Sequence, residues 1–173
     1  KVFDLAKKLK NPVNLSIGLP HFDLPGPLKQ SAIDAIQSGH NKYTLTQGIE
    51  NLRMGITKTL EKRNVHLPEV FITSGVSGGL FLAFISLFNP GDEVIISDPY
   101  FVMYKHLLKL FGATPIYSDT YPDFVMKPEN IESLITSKTK AIILNSPSNP
   151  TGICMTETQM KSITDIAKKH NLL

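Results

Sequence analysis

From residue 70 onward the hydrophobic positions alternate between two periods. Val70-Phe-Ile-Thr73, Glu93-Val-Ile-Ile-Ser97, Thr114-Pro-Ile-Tyr-Ser118 and Lys140-Ala-Ile-Ile-Leu-Asn145 are short apolar runs of strand length, rich in β-branched residues. Helix-length stretches separate or follow them, over residues 76–88, 101–111, 128–135 and 156–170. The punctuation agrees. Asn89-Pro-Gly-Asp92 is a turn signal, Gly112 closes the second helix, Pro128 opens the third, and Thr156 followed by Glu157 caps the fourth. Upstream, residues 27–38 and 48–64 read as two further helices joined by an irregular polar loop over 40–47, and residues 1–10 read as an amphipathic helix. Asn171 is a C-cap candidate, and Leu172-Leu173 starts an apolar run that reads as the first residues of a strand. With no Met at position 1, the chain is expected to be a fragment at both ends.

Strands alternating with helices predict an α/β fold, with a mostly parallel sheet covered by helices on both faces. No internal repeat or low-complexity segment interrupts it. Composition narrows the function classes. The 173 residues are 42% hydrophobic and 19% charged, enough for one sizeable core. Net charge is +3, and the Lys and Arg residues are scattered, which argues against nucleic-acid and membrane-surface partners. No apolar run reaches the roughly 18–20 residues of a membrane span, and the start lacks a signal-peptide pattern. The single Cys154 excludes a disulfide framework and suits a reducing, cytoplasmic setting.

Ligands of open α/β sheets bind beyond the carboxyl ends of the strands, and three loops at such ends stand out. Thr73-Ser-Gly-Val-Ser-Gly-Gly79 leads from an apolar run into a helix. Its small residues and helix N-terminal amides suit a phosphate, and a plain turn using Gly for tightness is the alternative. The loop has neither a Walker ending nor the GxGxxG fingerprint. Ser97-Asp-Pro-Tyr-Phe-Val-Met-Tyr104 places aromatics at a strand end, where they can stack on a planar ligand or simply pack into the core. Asn145-Ser-Pro-Ser-Asn-Pro-Thr-Gly152 combines two X-Pro steps with an Asn held before proline. So many constraints in one turn point to function. Other chemistries lack their residues: the five His show no ligand spacing, one Cys builds no zinc site, and no Ser sits in a G-x-S-x-G elbow.

These loops, in this order, resemble class I/II pyridoxal-phosphate-dependent aminotransferases of the aspartate aminotransferase fold type. Gly18-Leu-Pro-His-Phe22 resembles the family's G-x-P-x-F, and Tyr43-Thr44 with Gly48 and Leu52-Arg53 resembles its Tyr and Gly-x-x-x-Leu-Arg segment. The run from Ile72 through Gly91-Asp-Glu-Val94 to Pro99-Tyr100, and Asn149-Pro-Thr-Gly152, complete a match over essentially the whole chain. The resemblance implies a three-layer large domain, incomplete here. Residues 1–40 would belong to the small-domain and dimer region, and residues 41–173 to the first half of the cofactor domain.

The resemblance also implies roles. Gly75, Val76 and Ser77 would form the phosphate cup for pyridoxal 5'-phosphate, and Phe101 would stack on its ring, where many relatives carry Trp or Tyr. Asn149 would donate to its phenolic oxygen. Tyr43 would reach the cofactor phosphate of a second subunit in a homodimer with shared active sites, and Gly18 would leave room for the substrate carboxylate. Cis bonds would precede Pro99 and Pro150. The pyridine-nitrogen Asp, the Schiff-base Lys and the carboxylate-binding Arg would all fall beyond Leu173, so no catalytic residue and no metal ligand is expected in the chain, and the fragment alone is expected to be inactive. The implied reaction is ping-pong transfer of an amino group from an amino acid to a 2-oxo acid. The same motifs also serve carbon–sulfur lyases, aminocyclopropane-carboxylate synthases and aminotransferase-like sensor domains of transcription regulators.

Overall fold

A computed structural model describes residues 5, 8–11, 13, 18 and 20–173. The helix expected over 1–10 therefore lies largely outside the described residues. The chain divides into two compact units, Lys1–Ile49 and Glu50–Leu173. The first contains α1 (Gly26–Gln37), which carries a proline in its first turn, where the missing N–H costs nothing. Ser38 ends it, donating its hydroxyl to the Asp34 carbonyl at 2.6 Å.

The second unit runs α2 (Glu50–Glu61), α3 (Gly75–Leu87), β1 (Glu93–Asp98), α4 (Val102–Leu110), β2 (Thr114–Asp119), α5 (Pro128–Leu134), β3 (Thr139–Ile142) and α6 (Glu157–Lys169). The three strands form one parallel sheet in the order β2-β1-β3. The apolar run Val94-Ile-Ile96 explains why β1 is central. In a strand of period two, Val94 and Ile96 face one side and Ile95 the other, and all three are fully buried. On the first side they join Phe84 and Phe88 near the end of α3 and Tyr104, Leu107 and Leu108 of α4. On the second, Ile95 meets Met126, Ile131 of α5 and Ile163 of α6. Helices thus cover both faces, giving the three layers expected. Each fully buried Ile or Leu contributes about 1.5–3 kcal/mol of burial energy.

Two helix ends show how local chemistry sets the frame. After α4, Gly112 takes φ +76, with its N–H bonded to the Lys109 carbonyl and the Ala113 N–H bonded to the Leu108 carbonyl, a paired closure that needs a left-handed residue. Gly112 also presses on the turn before β1, where an added Cβ would stand 3.0 Å from Pro90 Cα. After α6, Asn171 (φ 53) plays the same part, bonding to Lys168, while Leu172 bonds to Ala167. Leu173 then exchanges backbone hydrogen bonds with Lys140 and Ile142, on the edge of β3 away from β1, in keeping with the strand start read from Leu172-Leu173.

One expected strand is absent. Val70–Thr73 is not strand, because among the described residues it pairs with no neighbouring segment, and Phe71 is exposed. A strand needs a ladder, and apolar β-branched composition alone does not supply one. The segment is instead held by Arg53 of α2, which donates Nε to the Val70 carbonyl at 2.9 Å and pairs with Glu69. β3 is shorter than expected, ending at Ile142, although Ile143 still donates to the Ile95 carbonyl. Among the described residues, no helix is long and apolar enough to cross a membrane.

Candidate functional site

The parallel strands place the loops after β1 and β3, adjacent strands, at one end of the sheet. The N-terminus of α3 belongs to the same end. Its last turn leads through a short turn into the start of β1, and a helix of 13 residues is about as long as a strand of six. The three loops singled out in the sequence therefore lie on one unit and face one way.

The first loop is built around Ser74, whose φ of −74° and ψ of 75° make it the centre of an inverse γ-turn. That turn directs the Gly75 N–H onto the Thr73 carbonyl at 2.8 Å, and the Thr73 hydroxyl donates back to the Gly75 carbonyl at 3.0 Å. Gly75 sits at φ +68, with nothing within 4 Å of where a Cβ would be. The helix ladder starts only at Gly78, which donates to the Ser74 carbonyl. The amides of Val76 and Ser77 precede it, so helix geometry gives them no intrahelical acceptor. Among the described residues no side chain caps them either, and Ser74 to Ser77 are all exposed. Two free amides, a nearby hydroxyl and the positive end of a helix dipole suit an anion. The amides open to one are those of Val76 and Ser77, because the Gly75 amide is engaged by Thr73.

The second loop carries Phe101, the N-cap residue of α4. Its ring is half-buried and stands edge-on to Tyr104, with centroids 5.6 Å apart and an interplanar angle of 82°. Burial pushes the Tyr104 phenol up from its ordinary value, which keeps this support neutral. The turn before Phe101 is pinned twice. Ser97 donates to the Pro99 carbonyl at 2.9 Å, and the buried Thr120 donates its hydroxyl to the Asp98 carbonyl at 2.6 Å. Beside it, Tyr100 and Tyr117 lie 5.3 Å apart, and burial, with Tyr100 next, raises the Tyr117 phenol.

The third loop follows β3 and closes on itself. Gly152 donates to Ser148 at 2.7 Å, Ser148 to Ile153 at 2.9 Å, and Met155 to the Ser146 hydroxyl at 2.9 Å. α6 then starts on a capping box, with the Gln159 amide N–H on the Thr156 hydroxyl and the Thr156 N–H on the Gln159 side chain. Asn149 stands exposed at the crest. Cis bonds precede Pro99, Pro122, Pro147 and Pro150.

The two remaining expected residues, Gly18 and Tyr43, are exposed and belong to the first unit. Among the described residues, no group of three or more His, Cys, Asp or Glu side chains is arranged to hold a metal ion. Thr73, Ser97 and Thr120, which shape the first two loops, escaped sequence reading. Single hydroxyls carry no period and no motif, and only the fold shows which carbonyl each one meets. Ser137-Lys-Thr-Lys140 has a Ser-x-x-Lys spacing that sequence reading does not single out, and Lys140 lies in the first half of β3 (Thr139–Ile142), away from the end of the sheet that carries the three loops.

Residues 10–173 match the family model for class I and II aminotransferases. The chain belongs to that family. Among its relatives, an aspartate aminotransferase of Thermotoga maritima is 37% identical, over 96% of this chain and 46% of that protein. A probable aspartate/prephenate aminotransferase of Rhizobium leguminosarum is also 37% identical, over 98% of this chain and 44% of that protein. Among solved structures, a Pyrococcus protein (protein-A1) superimposes with a TM-score of 0.94 at 31% identity, covering 99% of this chain and 46% of that one. An aspartate aminotransferase from Thermus thermophilus with maleate gives 0.87 at 33% identity, covering 91% and 43%. The chain thus spans less than half the length of the relatives it matches.

Proposed function

We propose that the protein carrying this chain is a pyridoxal-phosphate-dependent aminotransferase. It moves an amino group from an amino acid to a 2-oxo acid in ping-pong order, in the cytoplasm, as a homodimer with shared active sites. The observation that carries the reading is the pair of acceptor-free amides at Val76 and Ser77, on the same unit as Phe101 and Asn149, in a chain that belongs to the aminotransferase family. Two of the relatives carry aspartate in their names, so an acidic amino acid is the first substrate to try.

The residues present fit that cofactor. A dianionic phosphate suits an uncapped helix N-terminus whose small residues leave the approach open. A planar ring suits the Phe101 face, and a phenolic oxygen suits the exposed amide of Asn149. When bound, the cofactor supplies the electron sink that stabilises a carbanion at the substrate α-carbon. This chain's residues bind and orient. The Val76 and Ser77 amides, with the Ser77 hydroxyl, hold the phosphate, and Gly75 lets the backbone turn into the helix beneath it. Phe101 sets the ring plane. Asn149 Nδ2 donates to the phenolic oxygen and favours its ionised form. Gly18 leaves space for the substrate carboxylate, and Tyr43 serves the phosphate of the second subunit.

The test is product balance in the intact protein loaded with pyridoxal 5'-phosphate. With an amino acid and no acceptor, one equivalent of 2-oxo acid per site should appear and then stop. Added 2-oxo acid should restart turnover, with no ammonia released. Continuous ammonia release would instead establish an elimination enzyme.

A further inference from the structure

We infer that Asn145 is a positioning residue for Asn149, holding the crest of the third loop through its side-chain amide. The inference rests on the proposed role of Asn149 toward the cofactor's phenolic oxygen. Asn145 is the third residue beyond β3, half-buried at the base of the loop. Its amide faces a carbonyl acceptor on one side and an N–H donor on the other, which fixes its orientation: Nδ2 donates to the Pro147 carbonyl at 3.1 Å, and Oδ1 accepts the Asn149 N–H at 2.9 Å. One side chain therefore spans the turn and ties both a carbonyl and an amide that β pairing does not reach. The other closures of the loop act elsewhere, on Ser146, Ser148, Thr151, Gly152, Ile153 and Met155. Among the described residues, the bond from Asn145 is the only hydrogen bond made by Asn149. Pro150 follows it and has no N–H to add another.

Geometry gives this tie its importance. The Asn149 side chain has two rotatable bonds, so where its amide stands is set by where its backbone stands. A donor displaced by a few tenths of an ångström gives a weaker bond to an ionised oxygen. An alanine at position 145 would leave the Asn149 N–H and the Pro147 carbonyl without partners and free the crest to move. The cofactor phosphate seat, on a different loop, would be untouched.

The experiment is a pH titration of the cofactor's absorption band in the intact holoprotein, comparing Asn149→Ala, Asn145→Ala and the double variant. Asn149→Ala removes the donor, so the phenolic oxygen should hold its proton more tightly. Asn145→Ala should shift the titration in the same direction, by about threefold or more in proton affinity. The double variant should match Asn149→Ala alone, since a positioning effect has nothing left to position. A wild-type titration in Asn145→Ala, or shifts that simply add, would overturn the inference while leaving Asn149 in place. A silent Asn149→Ala would remove the role of Asn149 and this inference with it. Should Asn145→Ala fail to fold, amide hydrogen exchange on the unmutated protein decides. The Asn149 N–H should exchange more slowly than that of the exposed Cys154, which meets no acceptor among the described residues, and equal rates would contradict the tie.

Discussion

Thr73 and Gly75 hold each other: the Gly75 N–H donates to the Thr73 carbonyl at 2.8 Å, and the Thr73 hydroxyl donates to the Gly75 carbonyl at 3.0 Å. This reciprocal pair fixes the γ-turn that presents the Val76 and Ser77 amides. Thr73→Val keeps the shape and deletes one of the two bonds. It should weaken pyridoxal 5'-phosphate binding several-fold, for a bond of about 1 kcal/mol, measured by titrating the cofactor absorbance. Pyridoxal, which lacks the phosphate, should bind the variant and the parent alike.

Phe101 joins the site to the core, because its ring lies on Tyr104 as well as at the loop. Phe101→Ala should lower cofactor affinity about tenfold, for an aromatic stacking contribution near 1.5 kcal/mol. It should also lower the melting temperature. Phe101→Trp keeps an aromatic face and should retain most of the affinity. Equal affinities for the Ala and Trp variants would remove Phe101 from the cofactor's surroundings.

Gly112 and Gly75 share a positive φ but differ in surroundings, which separates two costs. At Gly75 an added Cβ meets nothing within 4 Å, while at Gly112 it meets Pro90 Cα and Cβ at 3.0 Å. Gly75→Ala should cost about 1 kcal/mol from backbone strain alone. Gly112→Ala adds a clash with backbone that cannot swing away and should cost about 2–4 kcal/mol. Thermal unfolding of the two variants should differ by several degrees, with Gly112→Ala the lower.

Glu132 of α5 accepts from Lys169 at 2.5 Å and lies 3.5 Å from His170, at the end of α6. Lys169 first and His170 second hold its carboxyl below the usual carboxylate range. A lowered folded-state value means that the contribution is fully present above the usual carboxylate range. It is lost as pH falls through the lowered value. Glu132→Gln should be less stable than the parent at neutral pH in low salt. The difference should fade as pH drops through that lowered value and shrink in high salt. A difference that persists in acid would mean that packing, not charge, joins the helices.

What the sequence revealed and what it hid follow one division. Patterns with a period or a unique residue type were legible. Val94-Ile-Ile96 announced a strand buried on both faces, Gly112 a helix end, Thr156 a cap, and the two X-Pro steps around Asn149 a tightly constrained turn. Relations between distant residues were not. Val70–Thr73 has strand composition, but strand status depends on a neighbour that composition does not reveal. The pinning of Asp98 by Thr120 spans 22 positions, and nothing local in Thr120 signals it. Asn145 stands out in the sequence only as part of a motif, because its tie to Asn149 needs a turn that brings the two together.

The central claim is that three separate loops form one cofactor site, and an amide chemical-shift map of the isotopically labelled protein titrated with pyridoxal 5'-phosphate tests it most directly. The amides of Val76, Ser77, Phe101 and Asn149 should shift together along a single binding curve, with those of α6 unmoved. Shifts confined to other surfaces, or separate curves for the three loops, would contradict it.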